Sequence, residues 1–298
     1  METTPAGNKS QKTILIILAV VVLASLAALF IIKNQRDAKA EKDVKEAVDQ
    51  IGGSDIMTYK DVSVGLFGSD INISDVKLGL PGGEATVENI TLSEIPTENI
   101  PESFSFSMDG FKVPVTEALF EDGYADLAAM GIDALDASLA FSFSQDKKAK
   151  TFDLDNLSIS AKNMGSFSMN FTITNIDLDN AFMYMFDQSS LNLAKAEITY
   201  KDDSLLSRTL ELAAKEEGKS VEETKQEVLD EIDAAIESAE QGGYPKAVAF
   251  YKEIREFVEN PKSLTITFAP EQSVSLTKIT MLSPEEAITS LNITASAN

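Results

Sequence analysis

The chain contains 298 residues, 44% of them apolar, and its 48 acidic against 25 basic residues give a formal net charge of −23. It has no cysteine, histidine or tryptophan, which excludes a Cys/His zinc site, a histidine-activated nucleophile and a disulfide framework. The negative charge also argues against nucleic acid as a partner, because phosphate binding needs clustered basic residues.

The first element along the chain is an apolar stretch over residues 13–32. Its sequence, TILIILAVVVLASLAALFII, contains no charged residue, and a helix of this length spans about 30 Å, the hydrocarbon thickness of a bilayer. A cleaved signal peptide is the alternative, but the apolar run is longer than a signal-peptide core and a charged stretch follows at once. We therefore predict an uncleaved transmembrane anchor, preceded by a cytoplasmic tail over residues 1–12.

The orientation of this anchor depends on the basic residues on its two sides. Lys9 and Lys12 precede it, and five basic residues follow it from Lys33 to Lys45. A literal positive-inside count leaves the body in the cytoplasm, yet long domains translocate largely regardless of flanking charge. The acidic, Ser/Thr-rich body without cysteine favours export. We predict a single-pass membrane protein with a short cytoplasmic tail and a periplasmic or extracytoplasmic body.

Residues 33–53 are predicted to form a charged helical stalk that continues the anchor. Acidic and basic residues alternate in the sequence KNQRDAKAEKDVKEAVDQ, which has a helix-forming composition and ends before Gly52-Gly53. After Gly53 the sequence changes to short alternating segments broken by Gly, Asn and Asp, which are strand and turn signals. We assign residues 54–202 to an antiparallel β domain.

A short pattern recurs in these strands. Three apolar residues are separated first by two residues of any type and then by one. The three-residue step shifts the phase of a strand, and Asp or Asn precedes the second apolar residue in five of six copies, which favours a bulge or bend. Chance recurrence is the alternative; we predict instead that each copy bends a strand and keeps its apolar side chains on one face. The copies begin at Tyr59, Ile73, Val87, Leu154, Ile173 and Leu276.

Three other segments alternate strictly between large apolar and small polar residues. They indicate long antiparallel strands with one apolar face and one Ser/Thr/Asn face. A second layer of protein could close over the apolar face as an ordinary core, or the face could line a groove for acyl chains. The candidate groove residues are Phe104, Phe106, Met108, Phe141, Phe143, Phe167, Met169 and Phe171.

Residues 203–260 have the spacing of three amphipathic helices. Ser204 is a candidate N-cap for the first helix, Ser220-Val-Glu-Glu223 is a capping box for the second, and Pro245 suits the first turn of the third. The block holds 15 acidic and 7 basic residues, so its outer faces are acidic. Residues 261–298 return to strand and include a short helix from Pro284 to Leu291, which completes the β domain.

Carboxylate pairs are frequent, for example Glu121-Asp122 and Asp153 with Asp155. Such pairs can carry acid/base chemistry or bind Ca²⁺. In a chain with 48 acidic residues they arise from composition alone. We therefore predict no catalytic residue, no cofactor and no metal site.

Residues 59–69, Tyr59-Lys-Asp-Val62-Ser-Val64-Gly65-Leu66-Phe67-Gly68-Ser69, follow the apolar stretch and the charged stalk and lead into amphipathic strands. This arrangement resembles the opening of the bacterial YdgA-like envelope proteins and, more loosely, the AsmA-like proteins. The resemblance implies an inner-membrane anchor with a periplasmic, curved β-sheet body. For AsmA-like members it also implies a lipid-binding groove used in envelope maintenance.

The sequence as a whole predicts an α+β protein with an N-terminal transmembrane helix, then a repetitive curved antiparallel β-sheet with an inserted three-helix block. The predicted function is non-enzymatic: an extracytoplasmic β domain that packs or binds an apolar ligand, such as lipid acyl chains, in envelope maintenance. The alternative is a membrane-anchored interaction module that docks an envelope protein through the acidic helical block.

Overall fold

The computed structural model is a mixed α+β protein with antiparallel sheet and several helices. It describes residues 42, 44–45, 48–49, 53, 56–65, 70–80, 83–93, 101–177 and 190–298. The predicted cytoplasmic tail and the predicted anchor, residues 1–12 and 13–32, lie outside the described residues. Within the described ranges, no helix is both long and apolar enough to cross a membrane. The chain forms two compact units, Met1–Leu139 and Ala140–Asn298.

Unit 1 is built mainly from five antiparallel strands. The central strands lie in the order β1-β3-β4-β5, and β2 also pairs with β3. After β5 come two short helices separated by a 3₁₀ turn at Glu121–Gly123, which the sequence reasoning did not predict. The elements are β1 (Met57–Thr58), β2 (Asp61–Val64), β3 (Asp70–Leu80), β4 (Gly83–Ser93), β5 (Ser103–Pro114), α1 (Glu117–Phe120) and α2 (Tyr124–Ala129).

The three-residue step of the repeat is aligned across β3, β4 and β5. Ile73 pairs with Ile90, which pairs with Met108, and on the other side of the step Val76 pairs with Val87. Each strand has two polar or small residues between its apolar positions at this point: Ser74-Asp75, Glu88-Asn89 and Asp109-Gly110. Because all three strands carry the extra residue at the same place, the pairing register between them stays constant. Buried side chains lie on both sides of the step: Ile71, Ile73, Val76, Leu78, Ala85, Val87, Ile90, Leu92, Phe104, Phe106, Met108, Phe111 and Val113.

The backbone shows why a polar or small residue is needed at the step. Asp75 has a φ of 50° and Gly110 a φ of 64°, a left-handed conformation that Asp and Gly tolerate better than other residues. Asn89 donates a hydrogen bond from Nδ2 to Oγ1 of Thr91 over 3.0 Å, which satisfies its amide on the polar face. The copy at Ile73 therefore contains the predicted irregularity at its three-residue step, and β5 carries a further copy, from Met108 to Val113, that the sequence count missed.

Six residues of the predicted stalk are described; five are α-helical and Gly53 is in a 3₁₀ turn. Val44 and Val48 are 1% and 7% exposed, whereas Lys42, Lys45 and Asp49 are exposed. A spacing of four residues places the two valines on one face of a helix. This helix therefore buries an apolar face, which the prediction of a solvated stalk did not include.

Unit 2 contains antiparallel strands and a helical block. β6 runs from Ala134 to Asp146 and crosses the boundary between the units; from residue 140 onward it lies beside β7. The remaining strands follow in the order β7-β8-β9-β10-β12, with β11 also paired to β9. They are β7 (Thr151–Ala161), β8 (Gly165–Thr174), β9 (Asn192–Asp202), β10 (Ser263–Phe268), β11 (Val274–Ser275) and β12 (Ile293–Ala297).

The predicted three-helix block is present as α3 (Leu205–Glu217), α4 (Val221–Gln241) and α5 (Pro245–Glu259). It is inserted between β9 and β10, which pair directly with each other. The Ser220 capping box and the proline in the first turn of α5 are confirmed. Ser204 stands at the N-cap of α3 but its side chain makes no capping bond; Oδ1 of Asp202 accepts the Leu206 N–H over 2.9 Å instead.

The repeat behaves differently in its last copies. In β7 the pairing with β8 shifts by one residue between Leu154 and Leu157, which confirms the predicted bulge. Asn175 has a φ of 62° at the end of β8.

The copy at Leu276 is not a strand: it forms the short helix α6 (Leu276–Ile279), and α7 (Pro284–Ser290) follows. β11 reaches only the first two residues of β9, so a longer strand here would extend past the start of its partner.

Candidate functional site

The eight candidate groove residues are divided between the two units. Phe104, Phe106 and Met108 lie on β5 in unit 1, where they are 7%, 5% and 1% exposed and belong to the core. The other five lie in unit 2 and are all half-buried: Phe141, Phe143, Phe167, Met169 and Phe171. Strands with the same alternation therefore differ in how well their apolar faces are covered.

The half-buried phenylalanines of unit 2 form a continuous line of rings across three strands. The ring centroid of Phe143 lies 5.9 Å from that of Phe141 and 5.4 Å from that of Phe152, and Phe152 lies 6.2 Å from Phe171. These separations are within the range of favourable aromatic pairs. We call Phe141, Phe143, Phe152 and Phe171 the aromatic row.

Sequence reasoning missed Phe152 in this row. Phe152 and Leu154 alternate with Thr151 and Asp153, but the repeat copy was counted only from Leu154 onward. Extending the alternation by two residues toward the N-terminus would have found it.

The apolar face continues along β7 and β8 away from the aromatic row. Leu157 pairs with Met169 and Ile159 pairs with Phe167. Ile159 is 39% exposed, one of three large apolar side chains exposed to this extent in the described part of the chain. We call Leu157, Ile159, Phe167 and Met169 together with the aromatic row the open apolar face; Leu154, on the same face of β7, is buried.

The helical block covers a different part of the same sheet. α5 contacts β10 and β12, and its Phe257 ring meets the Tyr200 ring of β9 edge-on with centroids 5.8 Å apart. Ala247, Ala239 and Ile288 then form a small core between α5, α4 and α7. The main contacts between helices and sheet therefore lie over β9, β10 and β12, which leaves β7 and β8 less covered.

The opposite face of the unit 2 sheet is polar, as predicted. Ser168 of β8 pairs with Thr199 of β9, which pairs with Thr265 of β10, and the hydroxyls of the two threonines are 3.0 Å apart. Thr172 donates a short hydrogen bond to Asp153 on the neighbouring strand. These polar side chains satisfy one another, and Thr172 among them is buried.

Tyr200 is the one aromatic residue of β9, and its hydroxyl lies at the base of the helical block. Burial, and then the hydrogen bond that its hydroxyl donates to Asp202 over 2.6 Å, raise the pKa of Tyr200 above its ordinary value. The phenol is therefore protonated at neutral pH. It holds the carboxylate that accepts the Leu206 N–H in the first turn of α3, which is a structural task.

The helical block has an open cleft of about 460 Å³ between the start of α4 and the end of α5. Charged and amide side chains surround one apolar residue there: Glu222, Lys225, Gln226, Leu229, Glu259 and Asn260. Lys225 donates a hydrogen bond to the Glu259 carbonyl over 2.8 Å. Nearby, Arg255 bridges Asp233 and Glu259 at 2.7 and 2.5 Å. Lys225 and Arg255 thus tie α4 to α5 beside the cleft.

The carboxylate pairs do not converge into a metal site in the residues that the structure describes. No group of three or more Asp or Glu residues is close enough there to hold an ion. Asp153 accepts a hydrogen bond from Thr172, and Asp155 accepts one from Ser144 over 3.3 Å.

Comparison with known proteins adds one match. A family model described as an uncharacterized protein matches residues 158–298, slightly under half of the chain. This segment includes β8 to β12 and the helical block. No curated protein matches the sequence. The resemblance of residues 59–69 to YdgA-like proteins lies outside the matched segment and stays a prediction.

Proposed function

We propose that this chain is a non-enzymatic, membrane-anchored protein of the bacterial envelope whose second unit binds a lipid acyl chain on the open apolar face. The observation that carries this proposal is the half-buried aromatic row on strands that the helical block covers least. In a closed core these side chains would be fully buried, as Phe104, Phe106 and Met108 are in unit 1.

The energetics favour a flexible apolar ligand. Burial of one methylene group contributes about 0.8 kcal/mol, so six methylenes laid on this face contribute about 5 kcal/mol before the cost of association. The face offers rings and aliphatic side chains but no polar group that would select a rigid, hydrogen-bonding ligand. The predicted anchor at residues 13–32 supports a lipid as the ligand, since it would hold this face beside a membrane.

Labelling with a photoreactive phospholipid tests the proposal. The full chain in membranes is irradiated with a phospholipid that carries a diazirine in its acyl chain, and the labelled peptides are identified by mass spectrometry. We expect labels on peptides of β6, β7 and β8. Ile159→Glu should reduce labelling of these peptides about tenfold, because it places a carboxylate among apolar groups at an exposed position that needs no repacking.

Ser160→Glu is the matched control for this experiment. Ser160 is exposed and adjacent to Ile159 in sequence, but it pairs with Ser166 on the polar face. The control adds the same charge and should leave labelling unchanged. Equal labelling of the wild type and both variants, or labels confined to residues 13–32, would show that the face holds no acyl chain.

A second candidate function is docking of an envelope protein through the helical block, and the cleft between α4 and α5 is the observation that favours it. Deleting the block is a poor test because Phe257 packs on the sheet. Glu222→Lys at the cleft is compared with Glu237→Lys, a second exposed position on α4. If the cleft docks a partner, crosslinking of the full chain to a membrane partner falls at least fivefold with Glu222→Lys and does not fall with Glu237→Lys. Equal crosslinking by the two variants counts against the cleft.

A further inference from the structure

The turn between β6 and β7 concentrates positive charge at one end of the open apolar face. Lys147, Lys148 and Lys150 are all exposed. No other four consecutive residues of the sequence contain three basic side chains, in a chain whose net charge is −23. We call residues 146–150 the lysine turn.

The lysine turn has an ordered backbone. Oδ1 of Asp146 accepts hydrogen bonds from the N–H groups of Lys148 and Ala149 over 2.8 and 2.9 Å. Lys150 has a φ of 54°, and its carbonyl accepts the Ile176 N–H over 3.1 Å, which ties the turn to the end of β8. The three ammonium groups are therefore carried by a defined turn.

The turn directly adjoins the aromatic row. Phe152 is two residues after Lys150 and Phe143 is three residues before Asp146, so the backbone positions lie roughly 7 to 10 Å apart at a strand rise of about 3.3 Å per residue. Lysine side chains can lay their aliphatic stems along an apolar surface and keep their charged ends in water. An acyl chain on the aromatic row would thus end beside the lysines.

We infer that the ligand of this site is an anionic phospholipid, with its headgroup at the lysine turn and an acyl chain on the open apolar face. This inference rests on the proposed acyl-chain binding and adds the headgroup. Charge complementarity is the argument, because a turn rich in exposed lysine attracts anionic lipid while the acidic remainder of the chain repels it. A zwitterionic lipid would gain the apolar contact alone.

The test compares two photoreactive phospholipids with the same diazirine acyl chain, phosphatidylglycerol and phosphatidylcholine, each in membranes containing the full chain. We expect wild-type labelling of β6 to β8 to be about tenfold higher with phosphatidylglycerol. The variant K147Q/K148Q/K150Q should reduce this ratio to near one and leave labelling by phosphatidylcholine unchanged. High salt should have the same effect, since the Debye length falls from about 10 Å at 0.1 M to about 3 Å at 1 M.

The control variant is K195Q/K201Q/K262Q, which removes three other exposed lysines of unit 2. It should keep the preference for phosphatidylglycerol. The headgroup inference is overturned if K147Q/K148Q/K150Q keeps the preference or if both triple variants lose it equally. Equal labelling by both lipids that remains sensitive to Ile159→Glu overturns the headgroup inference and leaves acyl-chain binding supported. No labelling of β6 to β8 by either lipid overturns both.

Discussion

Gly165→Ala should lower the free energy of unfolding of unit 2 by about 3 kcal/mol. Gly165 begins β8 with a φ of 144°, and a Cβ built there would lie 2.3 Å from the Lys201 carbonyl oxygen on β9. That oxygen belongs to the backbone of a paired strand and cannot rotate away. The substitution must therefore separate β8 from β9 or change the turn that precedes them.

The turn before Gly165 also supports the helical block, which enlarges the expected effect. The Met164 carbonyl accepts N–H groups of Asp203, Ser204 and Leu205 over 3.1 to 3.3 Å at the start of α3. A shift of Met164 would leave these donors without their acceptor. Urea unfolding followed by circular dichroism at 222 nm measures the effect, because α3, α4 and α5 all lie in unit 2.

Gly218→Ala is the control for the glycine substitution. Gly218 ends α3 with a φ of 68°, but no heavy atom lies within 4 Å of an added Cβ. The free energy of unfolding should fall by only about 1 kcal/mol, the cost of placing alanine in a left-handed backbone conformation. A Gly165→Ala variant no less stable than Gly218→Ala would show that the close approach of β8 and β9 is not required.

Phe257→Ala should reduce the stability of unit 2 by 3 to 5 kcal/mol, the usual range when a buried phenylalanine is truncated. Phe257 is 7% exposed and its ring meets that of Tyr200 on β9 at an angle of 77°. It is the aromatic contact through which α5 packs on the sheet. The same urea titration measures the loss.

Tyr200→Phe separates the ring contact from the hydrogen bond at this junction. It keeps the ring against Phe257 and removes only the hydroxyl that donates to Asp202. We expect a loss of about 1 kcal/mol, the net value of one such bond. If Phe257→Ala cost no more than Tyr200→Phe, ring packing would not be what holds the block on the sheet.

Much of the fold could be predicted because its signals are local. The capping boxes at Ser220 and Ser283 and the proline at the start of α5 mark helix ends within four residues of sequence. The bend at Asp75 and the bulge after Leu154 follow from an extra residue between apolar positions. Such features can be predicted without knowing which strand is the neighbour in the sheet.

Features that depend on distant partners could not be predicted in this way. The copy of the repeat at Leu276 has the spacing of a bent strand, yet only its first N–H continues the pairing, to the Leu191 carbonyl over 3.0 Å, and the chain then forms the helix α6. The cap of α3 is supplied by Asp202 where Ser204 was expected, since Ser204 instead accepts a hydrogen bond from Arg208 at 2.9 Å.

The sequence by itself determined which side chains of each strand share a face, because alternation has a period of two in any strand. It did not determine which apolar face is closed. Phe104, Phe106 and Met108 on β5 and Phe167, Met169 and Phe171 on β8 have the same alternation, but only the first three are fully buried. Burial depends on the layer that packs against a strand, and α5 packs over β10 and β12, away from β8. Tertiary structure therefore decides that the aromatic row, beside the lysine turn, is only half-buried.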